Sequence, residues 1–215
     1  MESKLFTPVT FGPLTLRNRT IRSAAFESMC PGNAPSDMLL DYHRSVAAGG
    51  IGMTTVAYAA VTQSGLSFDR QLWMRPEIIP GLRRLTDAIH AEGAAAGIQL
   101  GHCGNMSHKS ICGCMPVGAS SGFNLYSPTF VRGLRADELP EMARAYGRSV
   151  NLAREAGFDS VEIHAGHGYL ISQFLSPSTN HRKDEFGGSL QNRMRFMDMV
   201  CLLYTSPSPR DLSTS

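Results

Sequence analysis

Residues 161–193 read VEIHAGHGYLISQFLSPSTNHRKDEFGGSLQNR, and this stretch decides how the rest of the chain is interpreted. The apolar run 158–163 comes after Gly157, and a short apolar run bounded by a turn residue is typical of a buried strand. The run ends at His164. Because ligands bind at the carboxyl ends of parallel strands in α/β proteins, we expect the segment that begins at His164 to bind a ligand.

Three side chains that can act on a substrate follow this strand: His164, His167 and Tyr169. Gly166 and Gly168 flank His167 and allow the backbone to turn sharply. A pair of imidazole N–H groups can hold a carbonyl or nitro oxygen on which negative charge develops, and a phenol can serve as a general acid. The three side chains therefore suit the reduction of an alkene conjugated to an electron-withdrawing group.

Two other interpretations of these histidines stay open. A histidine beside a tyrosine is often a hydrogen-bonded core residue with a packing partner. Two histidines also suggest zinc, but no third ligand follows at a suitable spacing, so we predict no metal site here.

Four motifs in this region occur together in a known family: HAGHGYL at 164–170, QFLSP at 173–177, NHRKD at 180–184 and FGGSLQNR at 186–193. They resemble the signature of the old yellow enzyme family, which comprises FMN-dependent ene reductases and relatives such as 2,4-dienoyl-CoA reductases. The resemblance implies an FMN-bearing (β/α)8 TIM barrel with NAD(P)H as the reductant. It also implies that His164 and His167 bind the activating group of the substrate and that Tyr169 donates the proton.

The same resemblance implies where FMN is held. Gln99 is a polar residue inside an apolar run, and a buried amide needs hydrogen-bonding partners, which a flavin pyrimidine ring would offer. The alternative is a core glutamine bonded to the backbone. The implied flavin contacts are the backbone at Ser23, Ala24, Ala25 and Tyr58, together with Gln99 and His164.

At two places the chain departs from the family pattern. Phe26 stands where some relatives carry a cysteine that tunes the flavin potential, so we expect no such tuning. Asn105 stands where the family usually has an arginine, which puts in doubt the pairing that this arginine makes. Arg182 and Asp184 match family positions and are interpreted as shaping a loop.

The hydrophobic pattern predicts an α/β fold in which each strand is followed by a helix, four times over. We therefore expect a TIM barrel truncated to about its first four β/α units, with a β-hairpin in front. The predicted elements are a hairpin at 9–16; strands at 20–26, 51–61, 97–100 and 158–163; helices that begin at Ser36–Asp37, Pro76, Asp137 and after Ser189; and a long loop at 101–136.

Composition excludes several classes of partner. The 215 residues are 42% hydrophobic and 18% charged with a net charge of +2, and no basic run interleaves with aromatic residues, so we expect no nucleic-acid partner. No apolar stretch is long enough to span a membrane, and the first residues do not resemble a signal peptide. We expect a cytoplasmic protein that acts on a small-molecule substrate. The sequence leaves its oligomeric state open, a homo-oligomer included.

The five cysteines argue against a disulfide framework, since their number is odd. Cys112 and Cys114 lie near His102, Cys103 and His108, which could suggest a metal, but their CxC spacing is not the usual CxxC of zinc sites. We interpret them as free thiols in a loop. An iron–sulfur cluster, which some relatives carry, is not determinable from this chain.

The last residues differ in composition from the rest. Residues 1–200 are interpreted as the N-terminal part of an FMN-binding barrel, whereas the Ser/Thr/Pro-rich residues 201–215 are interpreted as a non-native, disordered tail. On this interpretation the chain is a fragment. We also predict that Glu162, which shares a strand face with His164, pairs with Arg22.

The sequence thus favours an FMN-dependent NAD(P)H oxidoreductase that reduces an activated C=C bond in an enone, enal or enoyl thioester. One alternative is a flavin amine dehydrogenase of the same barrel family, although that class would favour a tyrosine near His164. Another alternative is an inactive fragment that binds no flavin. An aldolase or epimerase barrel is disfavoured because no lysine lies in a predicted strand.

Overall fold

A computed structural model describes residues 3–205, with side chains described as far as Leu202. In chain order the strands are β1 (Val9–Phe11), β2 (Leu14–Leu16), β3 (Ile21–Arg22), β4 (Met53–Ala60), β5 (Ala95–Gly101), β6 (Val117–Gly118), β7 (Gly122–Asn124), β8 (Thr129–Gly133) and β9 (Ser160–Ile163). The α-helices are α1 (Asp37–Ala48), α2 (Ile79–Ala91), α3 (Lys109–Cys112), α4 (Leu139–Glu155), α5 (Leu170–Leu175) and α6 (Leu190–Thr205).

The chain divides into two compact units. The first unit comprises residues up to Ala59 together with Asp69–Leu100 and Asn151–Ile163, and the second comprises Ala60–Phe68, Gly101–Val150 and the residues from His164 onward. The predicted alternation of strand and helix is confirmed, so the fold is α/β.

The first unit is built on a four-stranded sheet in the order β3-β4-β5-β9. Strand β3 pairs with β4 in parallel, and β5 pairs in parallel with β9. In the second of these pairs Gln99 lies directly opposite Glu162. The predicted hairpin is also confirmed, because β1 pairs antiparallel with β2 across a turn in which Gly12 has a positive φ of 54°.

Helix α1 begins as its sequence predicts. The hydroxyl of Ser36 accepts a hydrogen bond from the backbone N–H of Leu39, which satisfies one of the donors left open at a helix start. Leu39, His43 and Ala47 form its buried face. Helix α2 follows a 3-10 turn at Pro76–Ile78 and buries Leu82, Leu85 and Ile89.

Arg17 joins the carboxyl ends of α1 and α2. Its Nη2 donates to the carbonyl of Ala47 at 2.5 Å, and its Nη1 donates to the carbonyl of Glu92 at 2.7 Å. Its Nε donates to the carbonyl of Ile51 at 2.9 Å. A cation at this position satisfies carbonyls that the helices themselves cannot pair, and it opposes the negative ends of both helix dipoles.

The predicted first strand, 20–26, is shorter than expected. Only Ile21–Arg22 joins the sheet, and residues 23–27 continue without ladder hydrogen bonds. The reason lies in Glu27, whose buried carboxylate binds groups of α1 and β4 and so draws the chain away from regular pairing.

The predicted long loop at 101–136 is wrong in one respect, because part of it folds into a second sheet. Strands β6, β8 and β7 pair in that order, with β6 parallel and β7 antiparallel to β8. Phe123 lies opposite Phe130, and their rings meet edge to face at 5.2 Å. Strands of two to five residues carry little hydrophobic periodicity, so the sequence pattern did not reveal them.

Helix α6 crosses the predicted domain boundary at 200/201. Residues 201–205 are helical, so the interpretation of 201–215 as a disordered tail is wrong for these five positions. Phe196 and Val200 are buried, and Phe196 packs against Phe174 of α5 with ring centroids 4.7 Å apart. Residues 206–215 of the predicted tail lie outside the described part of the chain.

Residues 3–205 bear on the predicted absence of membrane spans, metal sites and disulfides. Every helix there is too short or too polar to span a membrane. The same residues contain no cluster of three or more His, Cys, Asp or Glu side chains arranged to hold a metal ion. All five cysteines are reduced thiols.

Candidate active site

The turn after β9 places the predicted catalytic side chains in a strained backbone. His167 has φ 54° and Gly168 has φ 69°, so two consecutive residues adopt the left-handed conformation. Glycine adopts it freely, but for other residues it costs about 1–2 kcal/mol. Gly166 keeps a negative φ, so the strain falls on His167. Strain of this kind is concentrated at functional sites.

His164, His167 and Tyr169 lie together, as the sequence predicts. The His164 ring lies 4.9 Å from the His167 ring and 4.8 Å from the Tyr169 ring, measured between centroids. His164 is buried at 7% exposure, whereas His167 is exposed and Tyr169 is half-buried. The buried ring of His164 therefore packs against the exposed ring of His167 and the partly exposed phenol of Tyr169.

The hydrogen bonds of this turn fix which nitrogens carry protons. The backbone N–H of Gly166 donates to His164 Nδ1 at 3.3 Å, so Nδ1 of a neutral His164 is the acceptor and Nε2 carries the proton. His164 Nε2 lies 3.1 Å from His167 Nδ1, which must then accept. The remaining proton of a neutral His167 is on Nε2. The exposed Nε2–H of His167 is thus oriented by two successive hydrogen bonds, the first from the backbone of Gly166 to His164 and the second from His164 to His167.

Gln173 holds this turn in place, and the sequence reasoning missed its role. Its Nε2 donates to the carbonyl of Gly168 at 2.6 Å and to the carbonyl of Cys103 at 3.1 Å, and its Oε1 accepts the backbone N–H of Asn105 at 3.2 Å. The side chain is 1% exposed. The signal available in the sequence was a glutamine inside the apolar stretch of a helix, LISQFL, where a buried amide needs partners.

Close packing fixes the loop that Gln173 binds. Gly104 has φ 63°, and a Cβ at this position would overlap Oε1 of Gln173. A side chain at 104 would therefore collide with the glutamine as well as strain the backbone. The glycine lets the loop after β5 approach the amide that also binds the histidine turn.

His102 is a neutral core histidine in the same unit. Its Nδ1 accepts the backbone N–H of Gly104 at 2.9 Å, and its Nε2 lies 3.1 Å from the hydroxyl of Ser64. Complete burial lowers the pKa of His102 to about 3. At neutral pH it therefore carries no charge, and both ring nitrogens are occupied by protein groups.

In the first unit, Gln99 binds a carboxylate rather than the backbone. Gln99 is 9% exposed, and its Nε2 donates to Oε1 of Glu162, the residue opposite it in the β5–β9 pair. The predicted pairing of Glu162 with Arg22 is wrong. Arg22 instead pairs with Glu27 at 2.9 Å and donates to the carbonyl of Thr55. The register of the β5–β9 pair, which sequence cannot supply, decides the partner of Glu162.

Glu27 is the centre of a buried charge network that the sequence reasoning also missed. Its Oε1 lies 2.9 Å from Nη1 of Arg22 and 2.9 Å from Nε2 of His43. His43 Nδ1 completes the network at 2.8 Å from the hydroxyl of Thr54. The Glu27 side chain is 4% exposed and that of His43 is 0% exposed. This network anchors the segment that immediately follows β3.

The predicted flavin contacts in the first unit fit a cofactor. Ser23 and Ala25 are exposed and Ala24 is half-buried, so backbone groups that make no ladder bonds are accessible there. One bond to Glu162 leaves Gln99 with a carbonyl and a second N–H for a ring that offers both a donor and an acceptor. Tyr58 is buried, and its carbonyl accepts a hydrogen bond from Gln71 at 3.0 Å.

The motif around Arg182 shapes a loop. Arg182 makes a bidentate ion pair with Asp184 and donates to the carbonyl of Ala119 at 3.0 Å. Its guanidinium lies over the rings of Phe174 and Phe186, at 5.5 and 5.9 Å from their centroids. The pair lowers the pKa of Asp184 through the hydrogen bond from Arg182. These contacts agree with a structural role.

Three comparisons identify related proteins. The chain is 42% identical over 192 residues to a 4,4'-dithiodibutanoate disulfide reductase of Rhodococcus erythropolis, covering 89% of this chain and 48% of the relative. It is 37% identical over 202 residues to an NADPH dehydrogenase of Bacillus subtilis, covering 92% of this chain and 58% of the relative. The structure of an old yellow enzyme homologue from Zymomonas mobilis superposes with a TM-score of 0.87 at 30% identity, covering 94% of this chain and 59% of that one.

The chain spans about half the length of these curated relatives. Its residues 4–201 match the family described as NADH:flavin oxidoreductase / NADH oxidase. That match confirms the resemblance carried by the four motifs. The chain belongs to the NADH:flavin oxidoreductase / NADH oxidase family.

Proposed function

We propose that this chain contributes the substrate-activating residues, and part of the flavin site, of an FMN-dependent NAD(P)H oxidoreductase that reduces an activated C=C bond. The observation that carries the proposal is the cluster of His164, His167 and Tyr169 after β9. Family membership supports the flavin and the nicotinamide. In the whole protein we propose that β3, β4, β5 and β9 form the first half of an eight-stranded barrel.

FMN would be held by five residues of the first unit: Ser23, Ala24, Ala25, Tyr58 and Gln99. His164 of the second unit stays a predicted FMN contact. When bound, FMN would supply hydride transfer from NAD(P)H to the alkene, chemistry that no amino-acid side chain provides.

His167 and His164 polarise the substrate in this proposal. The Nε2–H of His167 is exposed and directed by its bond to His164, so it can donate to a carbonyl oxygen as negative charge develops there. For His164 to donate to the same oxygen, its Nε2–H must leave His167. The substrate oxygen would thus replace His167 Nδ1 as the acceptor, which couples substrate binding to a change within the turn.

Tyr169 is the proposed general acid. Its phenol lies beside His164 and is half-buried, which allows it to reach a substrate carbon while bulk water is partly excluded. The phenol O–H would protonate the α-carbon of the alkene. General acid catalysis by a positioned side chain contributes about 10²–10⁴-fold to a rate.

The test uses a fusion in which residues 4–201 replace the matching segment of the Bacillus subtilis relative. In this fusion Tyr169→Phe should slow the reduction of 2-cyclohexenone by about 100-fold or more, while the reduction of FMN by NADPH changes little. The matched control is Tyr126→Phe, since Tyr126 is 94% exposed on a hairpin of the same unit. An equal loss in both half-reactions would refute the acid role of Tyr169.

The 42% identical relative from Rhodococcus erythropolis favours a second candidate, because it is named a disulfide reductase. In that case Tyr169 would protonate a departing thiolate instead of a carbon. The same fusion distinguishes the two by kcat/KM for 2-cyclohexenone against 4,4'-dithiodibutanoate. If kcat/KM is higher for the disulfide, the disulfide becomes the proposed electron acceptor in place of the alkene.

A further inference from the structure

Two cysteines outside the proposed active site lie close enough to act as a pair. The Sγ atoms of Cys112 and Cys114 are 3.7 Å apart. Cys112 is 2% exposed, whereas Cys114 is exposed to solvent. The Sγ of Cys112 also donates to the carbonyl of Cys114 at 3.2 Å. One thiol is thus accessible and the other is held directly behind it.

The local sequence KSICGC explains why the two sulfurs meet. Helix α3 ends at Cys112, and Gly113 takes the left-handed conformation with φ 73°, its N–H donating to the carbonyl of Lys109 at 2.9 Å. A left-handed residue at this position reverses the chain after a helix, and glycine adopts it without steric cost. A Cβ at 113 would also lie 3.3 Å from Nε2 of Gln63. The turn folds Cys114 back beside Cys112.

We propose that Cys112 and Cys114 form a redox-active dithiol that reduces small organic disulfides and closes into an intrachain disulfide. The thiolate of Cys114 attacks one sulfur of the disulfide RSSR, forms the mixed disulfide Cys114–S–SR and releases one thiolate. The thiolate of Cys112 then attacks Sγ of Cys114 and releases the second. The two cysteines are oxidised, RSSR is reduced to two RSH, and the two thiol protons pass to the two leaving thiolates.

The geometry favours the second step over accumulation of the mixed disulfide. A disulfide needs an S–S distance of about 2.05 Å, so the two sulfurs must approach by roughly 1.7 Å from their present separation. Rotation of the exposed Cys114 side chain can supply this movement. Because Cys112 is already adjacent, closure is intramolecular and needs no diffusion.

The surroundings of Cys114 suit a small ligand. Cys114 lines a cavity of about 580 Å³ in the second unit. The cavity wall carries arginines and carboxylates that are paired with one another: Arg132 with Glu138, Arg135 with Asp137, and Arg148 with Glu141. Because these charges compensate, we expect little discrimination between anionic and cationic disulfides.

The reaction should accelerate as pH rises. Burial and the hydrogen bond with Cys112 raise the pKa of Cys114 to about 11, and Arg132 opposes this rise. The other cavity charges near Cys114 are the three paired sets named above. The thiolate is the nucleophile, so the rate should grow about tenfold per pH unit while the pH stays well below this pKa.

The experiment treats the 215-residue chain with 5,5′-dithiobis(2-nitrobenzoic acid) between pH 7 and 9 and follows the released thiolate and the mass of the peptide that contains residues 112–114. The expected result is two released thiolates per dithiol and a peptide lighter by two hydrogens. Cystamine, a cationic disulfide, should give the same peptide. Buried Cys30 and Cys103 should react at least about tenfold more slowly, which reports that the protein is folded.

Two variants separate a dithiol from two independent thiols. Cys112→Ser should release one thiolate and keep a stable mixed disulfide on Cys114, and Cys114→Ser should leave Cys112 unmodified on the same time scale. Cys201→Ser is the matched control, and its peptide that contains residues 112–114 should become lighter by two hydrogens as in the parent chain. A stable adduct on Cys114 in the parent chain would overturn the proposal, as would equal reaction at Cys30 and Cys103.

Discussion

Glu27 follows strand β3 and His167 follows strand β9, yet the two residues are held in opposite ways. Glu27 is buried and binds Arg22 and His43 at 2.9 Å each, in a backbone without positive φ at that residue. His167 is exposed, occupies φ 54°, and has His164 as the partner that orients its ring.

A polar residue that follows a strand can therefore serve the structure, as Glu27 does, or keep a group available to a ligand, as His167 does. A buried carboxylate with several short hydrogen bonds is rigid, and its groups are not available to a ligand. A strained and exposed imidazole keeps one donor available, at a cost in stability that the surrounding structure must offset. The Glu27 network holds the backbone of the first unit, while the exposed donor of the His167 turn is the one that the proposed function assigns to the substrate.

The largest expected effect is on the buried network. Glu27→Gln removes the negative charge and leaves the guanidinium of Arg22 without its counterion in a buried setting. Breaking a buried pair in this way costs about 3–5 kcal/mol, so urea unfolding should show a loss of that order. The matched control is Glu141→Gln, which removes exposed ion pairs with Arg144 and Arg148 and should cost less than about 1 kcal/mol. Equal losses in both variants would erase the distinction between the two regions.

A smaller effect is expected where the histidine turn is supported. Gln173→Leu keeps the volume but removes the hydrogen bonds of the amide to the carbonyls of Gly168 and Cys103 and from the N–H of Asn105. Each buried group that loses its bond costs about 1–3 kcal/mol, and partial rehydration should limit the total to about 2–3 kcal/mol in urea unfolding. Gln191→Leu, at an exposed position of α6, is the control and should change stability little. A loss for Gln173→Leu no larger than for the control would show that the turn needs no such support.

The smallest effect isolates the strain itself. His167→Asn and His167→Val both remove the imidazole, but asparagine tolerates the left-handed conformation and a β-branched valine does not. We expect the valine variant to be less stable than the asparagine variant by about 1 kcal/mol, measured by thermal unfolding. Equal stability of the two variants would mean that residue 167 leaves φ 54° without penalty, and the comparison with Glu27 would then lose its basis.

Short sequence patterns predicted the structural features that depend on neighbouring residues. The hairpin, the Ser36 cap of α1 and the strand that ends before His164 each depend on a few neighbouring residues, and all are confirmed. The three members of the His164 cluster were predicted together because they lie on one turn. Their roles, and those of the flavin contacts, stay predictions.

Partners distant in the chain could not be predicted. Glu162 binds Gln99 because the β5–β9 register places them opposite each other, and 63 positions separate them in the chain. The Glu27 network joins a loop, α1 and β4, and Gln173 joins residues that lie 68 to 70 positions away. Such contacts depend on the register and packing of the whole unit, so hydrophobic periodicity carries no information about them.

Strand β9 is an outer strand of the described sheet, and it exposes the carboxylate of Glu162. An outer strand presents open N–H and C=O groups to which other chains can add, and this is a common route to aggregation. Two copies of β9 that met edge to edge in register would bring their Glu162 charges close together. Glu162, which binds the Gln99 amide, would therefore also oppose the self-association of this edge. We expect the Glu162→Val variant to aggregate at a lower protein concentration than the parent chain.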